Sequence, residues 1–170
     1  MIPDFLLRWF PKLNVYTTDL IEDVNPKYNC IAFTIGSRSF RMWPIDIRPL
    51  EIISPEIRIF WPTELPNDDS LDNFIEMYKI FGYELCDNEK FEKDYRKIAI
   101  FCRKDTNIVT HAALQNRSGI WTSKLGDSYG ISHMLRDLEG QKYGEVRCFV
   151  RRPITITKEF DFKVLGRYLN

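Results

Sequence analysis

Three consecutive apolar runs, separated by short polar turns, most constrain the fold of this chain of 170 residues. The runs cover residues 97–102, 108–114 and 120–124, and the turns between them contain Asp, Asn, Ser and Gly. Turns this short join antiparallel strands, because a parallel pair needs a crossover of a dozen or more residues. The sequence therefore predicts an antiparallel meander at the centre of the protein.

Helical patterns occur before and after the meander. Apolar residues recur at helical spacing over residues 71–81, between an acidic start and a glycine, which predicts a helix. A shorter helix is predicted over residues 29–35, ended by a glycine. Weaker signals predict a helix start at residues 17–21 and a short helix over residues 132–138.

The remaining segments predict further strands and one long ordered loop. Residues 83–86 and 143–151 read as strands, and the prolines of residues 41–66 favour a loop with a short strand near residues 57–60. We expect one α+β domain over residues 1–152, in which a helix bearing a cysteine packs on an antiparallel sheet of about four to six strands. Residues 153–170 are expected to be an extension that adds an edge strand or packs on the domain or a partner.

Composition and charge narrow the classes of function. Hydrophobic residues make up 44% and charged residues 28%, as in soluble globular proteins, and the formal net charge is zero. We therefore expect neither nucleic acid nor a membrane as a partner. No apolar run reaches the ~20 residues of a membrane span, and the first residues do not resemble a signal peptide, which predicts a cytoplasmic protein or signal-independent export.

Cys30 is the first candidate for chemistry, because it begins the predicted helix of residues 29–35. A helix N-terminus favours a thiolate over a thiol, so we expect a lowered pKa and fast alkylation below pH ~8. The alternative is an ordinary core cysteine. Cys86, Cys102 and Cys148 lie in strand-like runs and are expected to be core residues.

A general base for Cys30 must be one of the two histidines of the chain. His111 lies in the second strand of the meander and is the better candidate, whereas His133 is expected to play a structural role at the start of a short helix. Ser123 or Thr122 on the next strand could orient the base. Nucleotide-binding motifs and metal-ligand spacings do not occur, so no cofactor is expected.

The order of these residues resembles a known superfamily. Asn29-Cys30-Ile31-Ala32-Phe33 followed by Thr110-His111-Ala112-Ala113 is similar to the papain-like, NlpC/P60-type cysteine hydrolases. The run Trp121-Thr122-Ser123-Lys124-Leu125-Gly126, then His133 and Tyr143-Gly144, resembles uncharacterised bacterial domains that include toxin-like members. The resemblance covers roughly residues 25–152.

The resemblance implies a thiol hydrolase with Cys30 as nucleophile, His111 as base and Ser123 as the polar third residue. Its substrate would be a peptide or protein, and its reaction that of a peptidase, an amidase or a deamidase. The NlpC/P60 pattern has Asp before the cysteine and Ser-Gly after it, whereas Asn29 and Ile31-Ala32 stand here, which argues against peptidoglycan peptidase specificity. The alternative is a non-catalytic protein-binding module that contacts a partner through the loop of residues 41–66 or the extension.

Overall fold

The computed structural model describes residues 1–44 and 57–168. The helices are α1 (Asp4–Trp9), α2 (Cys30–Thr34), α3 (Leu71–Ile80) and α4 (Lys158–Gly166), with a 3₁₀ helix at Leu135–Leu138. The strands are β1 (Asp19–Glu22), β2 (Arg41–Met42), β3 (Ile59–Phe60), β4 (Glu84–Cys86), β5 (Tyr95–Cys102), β6 (Val109–Gln115), β7 (Trp121–Lys124), β8 (Gly130–His133) and β9 (Glu145–Pro153). The protein is an α+β fold.

The main sheet has seven strands in the order β1-β8-β7-β6-β5-β9-β4. All of its neighbouring strands pair antiparallel. The predicted meander is therefore confirmed as β5, β6 and β7. The sheet exceeds the expected four to six strands because β1 and β8 were not predicted. A separate pair, β2 and β3, is parallel, with Arg41 opposite Ile59.

Two predicted helices at one edge of the sheet are wrong. The expected helix start at residues 17–21 lies largely in β1, and the expected helix over residues 132–138 is the end of β8 followed by a 3₁₀ turn. Both strands gain their backbone hydrogen bonds from tertiary pairing, since Leu20 lies opposite Ile131. Local capping residues do not determine the conformation of these two segments, because pairing at the sheet edge satisfies more backbone N–H and C=O groups than a short isolated helix would.

Helices cover both faces of the main sheet. On one face, α2, α3 and α4 pack on a cluster that includes Ile98, Ile100 and Ala112. On the other face, α1 and the 3₁₀ helix pack on a cluster that includes Phe101 and Ile131. The alternation of side chains along each strand produces these two faces. The two-sided cover explains why β5 is buried over most of its length.

The extension of residues 153–170 contains helix α4, which packs on the domain, so of the expected alternatives the edge strand is wrong. Val164 and Leu165 of α4 join the core cluster of the α2 face. Arg152 and Asp161 form a buried bidentate ion pair at 2.6 and 2.8 Å. Alternating apolar residues suggested a strand here, but the ion pair and the packing of α4 determine the conformation. Residues 45–56 of the predicted loop lie outside the described residues.

No helix in the described part of the chain has the length and apolar character needed to cross a membrane.

Candidate functional site

Cys30 is the first residue of α2, and the residue before it fixes its position. The Asn29 side chain caps the helix by accepting a hydrogen bond from the Ala32 N–H at 3.1 Å. It also donates to the Met42 carbonyl at 2.8 Å and accepts from the Met42 N–H at 3.1 Å. Asn29 therefore ties the start of α2 to β2, so that the Cys30 backbone is held from two sides.

The Cys30 sulfur lies where β6 and β7 separate. The pairing of β6 with β7 in the described chain is limited to Leu114 with Thr122 and Gln115 with Trp121. Beyond it, the backbone N–H groups of Ala112, Ile31 and Cys30 lie close enough to the Cys30 sulfur to favour its thiolate form. The thiol thus sits against the backbone next to His111, at a gap in the sheet.

Burial determines the charge state of Cys30. Its side chain is buried, and this desolvation raises the pKa to about 11, although three N–H groups and the charge of Lys124 oppose the rise. The expectation of a lowered pKa is therefore wrong. The reason is the length of α2, since five residues give only a weak dipole at the helix N-terminus, which burial outweighs.

Three other polar side chains form a buried chain of hydrogen bonds on the α1 face of the sheet. His111 Nε2 lies 2.9 Å from Ser123 Oγ, and the same oxygen lies 2.8 Å from His133 Nε2. His133 Nδ1 lies 2.8 Å from the Met134 carbonyl oxygen. Strands β6, β7 and β8 each supply one member, so the order of the sheet brings the three residues together.

This chain of hydrogen bonds fixes the position of each proton. The Met134 carbonyl can only accept, so His133 Nδ1 carries the hydrogen and His133 Nε2 has the lone pair. Ser123 therefore donates to His133 and accepts from the Nε2–H of His111. His111 is left with a lone pair on Nδ1, which is buried and has no hydrogen-bond partner among the described residues. The arrangement prepares His111 Nδ1 to accept a proton.

The surroundings keep both histidines neutral. Burial holds the pKa of His111 well below its ordinary value, and the neighbouring His133 lowers it further. Burial also lowers the pKa of His133 to about 4. The His111 ring stacks on the Tyr143 ring with centroids 4.1 Å apart and 3° between the planes, while Phe101 contacts it edge-on. The aromatic walls exclude water from the base and hold its ring in one orientation.

The structure brings some of the predicted residues together and leaves one apart. His111 and Ser123 are joined directly, and Thr122 instead donates to the Leu114 carbonyl at 2.8 Å. Cys30 contacts the backbone of Ala112 beside His111, but no hydrogen bond joins its thiol to the His111 ring within residues 1–44 and 57–168. Cys86, Cys102 and Cys148 lie in strands β4, β5 and β9, and Cys102 is a core residue as expected, whereas Cys86 and Cys148 are only partly buried.

A lysine also borders the Cys30 thiol. Lys124 is fully buried, and its ammonium donates to the carbonyls of Asn25 at 2.8 Å and Gly126 at 2.6 Å. It also lies 4.7 Å from the centroid of the Tyr28 ring. Burial lowers its pKa to about 8. Lys124 links the segment before α2 to the loop after β7 and keeps a positive charge near the Cys30 sulfur.

A cavity of about 460 Å³ opens beside Tyr143. Its walls come from α1, through Phe5 and Trp9, and from the loop that begins at Leu125. Lys142 lies at its rim, with its ammonium 3.9 Å from the Trp9 ring centroid. Since Tyr143 also stacks on His111, this largely apolar cavity adjoins the histidine pair. The described residues contain no group of three or more His, Cys, Asp or Glu arranged to hold a metal ion.

Residues 20–151 match the family described as Domain of unknown function (DUF7689). The chain belongs to this family. Cys30, His111, Ser123 and His133 all lie inside the DUF7689 match. No curated protein and no solved structure matches the chain.

Within the DUF7689 region, sequence reasoning missed two residues of the site. His133 was placed on a helix, but β8 places it opposite Trp121, on the same face as Ser123. Lys124 belongs to the run of residues 121–126 that carries the resemblance, but the sequence predicts no role for it. A lysine at the end of a predicted central strand was the available signal, because a lysine is rarely fully buried unless its charge has partners.

Proposed function

We propose that the protein is a cysteine-dependent hydrolase in which Cys30 is the nucleophile and His111 is the general base. The observation that carries the proposal is the buried lone pair on His111 Nδ1, in the residue that precedes Ala112, whose backbone N–H favours the thiolate of Cys30. A buried acceptor without a donor is unfavourable by roughly 1–3 kcal/mol, so it is more understandable at a working site than in an inert core. Ser123 orients the base, and His133 orients Ser123.

The reaction begins from two neutral groups. As the Cys30 sulfur attacks the carbonyl carbon of an amide, its proton passes to His111 Nδ1 and the carbonyl electrons move onto oxygen. The backbone N–H of Cys30 is available to this oxyanion. When the C–N bond breaks, the His111 proton goes to the leaving amine and a thioester remains on Cys30. Water, deprotonated by His111, then releases the acid and restores the thiol.

We further propose that the fold is papain-like and of the NlpC/P60 type. The α+β architecture, a cysteine at the start of a helix and a histidine on an adjacent antiparallel strand support this proposal. Ser123 supplies the polar third group from the next strand. Its oxygen accepts from His111 because its own hydrogen is committed to His133. A single hydroxyl can therefore orient the base here.

The cavity beside Tyr143 is the proposed substrate site. Phe5, Trp9 and Leu125 give it an apolar lining, so we expect an apolar side chain of a peptide or protein substrate to occupy it. Lys142 at the rim would favour an acidic neighbouring residue on the substrate. The buried position of Cys30 requires the substrate carbonyl to enter the gap between β6 and β7.

Acylation by p-nitrophenyl acetate tests the nucleophile without knowledge of the substrate. Peptide mass spectrometry should find the acetyl group on Cys30 in the wild-type protein, and His111→Gln should slow this acetylation about 100-fold, the usual contribution of a general base. Cys86→Ala is the matched control, because Cys86 is more exposed than Cys30 and lies in β4, away from the site. Acetylation of Cys30 no faster than that of Cys86 would refute the proposal.

A second measurement separates the reactions open to such an enzyme. Incubation with a denatured protein mixture should yield new peptide ends if the protein is a peptidase, and free ammonia with Gln→Glu changes if it is a deamidase. The Cys30→Ala variant should yield neither. If Cys30→Ala forms these products as fast as the wild type, the activity does not depend on Cys30.

One observation favours the alternative, a non-catalytic protein-binding module on the same fold. Cys30 is only 5% exposed, and its raised pKa leaves little thiolate at neutral pH. In this alternative the thiol fills the gap between β6 and β7 as a core residue. Cys30→Ala would then lower the free energy of unfolding, while acetylation of the remaining residues would stay unchanged.

A further inference from the structure

We infer that a second cavity, at the ends of β5, β6 and β9 away from the thiol, binds an organic anion with an apolar body. Its volume is about 520 Å³, within the range of small-ligand cavities. Tyr95 and Arg96 of β5, Gln115 of β6 and Arg152 of β9 contribute to its walls. It shares no lining residue with the cavity beside Tyr143.

Positive charge is concentrated around this cavity. Five basic residues line it and no acidic residue does, although the chain as a whole has 24 basic and 24 acidic residues. The five are Lys93, Arg96, Arg117, Arg152 and Lys158. A low-dielectric wall beside such a group focuses the positive potential, so that an anion is attracted more strongly than by scattered surface lysines.

Little of this charge is neutralised by the protein itself. Among the described residues, only Arg152 of the five has a carboxylate partner, Asp161. Arg96 donates to the Thr34 carbonyl at 2.9 Å, which leaves its charge uncompensated. The Nε atoms of Arg96 and Arg152 are buried and lack an acceptor in the described part of the chain. An anionic ligand would supply the missing negative charge.

Apolar side chains define the rest of the ligand. Phe91 and Ile154 line the cavity and are 47% and 45% exposed, an unfavourable position for large apolar groups in water. Leu114 and Ile156 lie on the same lining. An inorganic ion would leave these surfaces wet, whereas a carboxylate on an aromatic or aliphatic body would cover them. The structure therefore favours an organic anion.

This site is independent of the proposed thiol chemistry. Arg96 hydrogen bonds to the carbonyl of Thr34, which is the last residue of α2, whereas Cys30 is the first residue of that helix. Cys30→Ser is therefore expected to leave anion binding unchanged. Failure of the hydrolase proposal would not affect this inference, and the reverse is also true.

Calorimetric titration of the full chain with a matched pair of probes tests the inference. N-acetylphenylalanine carries a carboxylate on an apolar body, and its amide has the same body without the charge. We expect saturable binding of the acid, at least about tenfold tighter than that of the amide, and weaker binding at high salt. Benzoate shows which kind of molecule supplies the carboxylate of the ligand. Tighter binding of benzoate indicates a free aromatic acid, and tighter binding of N-acetylphenylalanine indicates a peptide C-terminus.

Two lysines of α4 provide a matched pair of variants. Lys158 lines the cavity, whereas Lys163 is an exposed residue of the same helix outside it. Lys158→Gln should weaken binding of the acid about two- to fivefold, as expected for a partly exposed charge pair, and Lys163→Gln should not change it. Equal affinity for acid and amide, no measurable binding of any probe, or equal effects of the two variants would overturn the inference.

Discussion

Replacement of His133 by Gln should reduce the dependence of stability on pH. The chain has two histidines, and both lie in the buried cluster around Ser123. In the unfolded chain each titrates near pH ~6.5. In the folded protein the pKa of His133 is about 4, so between these values the unfolded state binds one more proton than the folded state. Stability must therefore fall as the pH falls through this window.

The expected magnitude follows from the pKa of His133. Each extra proton bound by the unfolded state changes the free energy of unfolding by about 1.4 kcal/mol per pH unit. From the ordinary histidine pKa down to about 4, the contribution of His133 amounts to roughly 3 kcal/mol. His111 adds a change of the same sign, since its pKa is also lowered. The wild-type slope near pH ~5.5 should exceed the ~1.4 kcal/mol per unit of a single histidine, and His133→Gln should lower it by about 1.4 kcal/mol per unit.

Urea denaturation followed by tryptophan fluorescence measures this slope, because the chain contains four tryptophans. Gln is the suitable replacement, since its amide can still accept from Ser123 and donate to the Met134 carbonyl. The test is the change in the slope of the free energy of unfolding against pH, and not the stability of the variant at a single pH. Equal slopes for wild type and His133→Gln between about pH 5 and pH 6.5 would show that His133 is not buried as a neutral group.

Three further predictions concern other buried groups. Lys124→Met should lower the free energy of unfolding by about 2–5 kcal/mol in urea denaturation, because two carbonyls lose a charged donor. The stability of the wild type should rise from about pH 8 towards pH ~10.5, because in this range Lys124 binds more protons in the unfolded state than in the folded state. Asp161→Asn should lower stability by about 3–5 kcal/mol by leaving the buried Arg152 charge unpaired. Iodoacetamide near pH ~8 should alkylate Cys86 before Cys30 on peptide mapping, because alkylation needs a preformed thiolate, which the burial of Cys30 disfavours, whereas the proposed acylation uses His111 as base.

Each of these predictions has a control and a contradicting result. Lys79→Met changes an exposed lysine and should have little effect, so an equal loss for both lysine variants would contradict the role of Lys124. The double variant Arg152→Met/Asp161→Leu should recover part of the loss seen with Asp161→Asn, and no recovery would indicate that packing rather than charge dominates. Preferential alkylation of Cys30 would contradict its neutral, buried state.

The parts of the fold that were predictable have strong local patterns. The α3 helix combines a polar cap at Ser70, regular apolar spacing and Gly82 with a φ of 84° after its end. The meander followed from short turns between apolar runs. By contrast, β1 exposes most of its residues, so no alternation marks it. In α4, exposed Phe160 and Phe162 mimic strand alternation, while its contact with the core depends on Val164 and Leu165.

The candidate site was predictable only in part, because some of its contacts depend on strand pairing and burial that no local pattern shows. His111 and Ser123 lie on adjacent strands of the meander, so their proximity follows from local order along the chain. His133 joins them only because β8 pairs with β7, and that pairing was not predicted. The pKa of Cys30 depends on how deeply its five-residue helix is buried, which no local pattern reports.

The helices on both faces of the sheet determine how much of the chain is needed to bury its two core clusters. The DUF7689 match spans residues 20–151, yet Leu6 of α1 and the following Phe10 lie before it, and Val164 and Leu165 of α4 lie after it. All four side chains are buried in the two core clusters. A fragment trimmed to the matched residues would expose apolar surface on both faces and would lack the buried ion pair of Arg152 with Asp161. The family match thus outlines a segment smaller than the one that buries both core clusters of this chain.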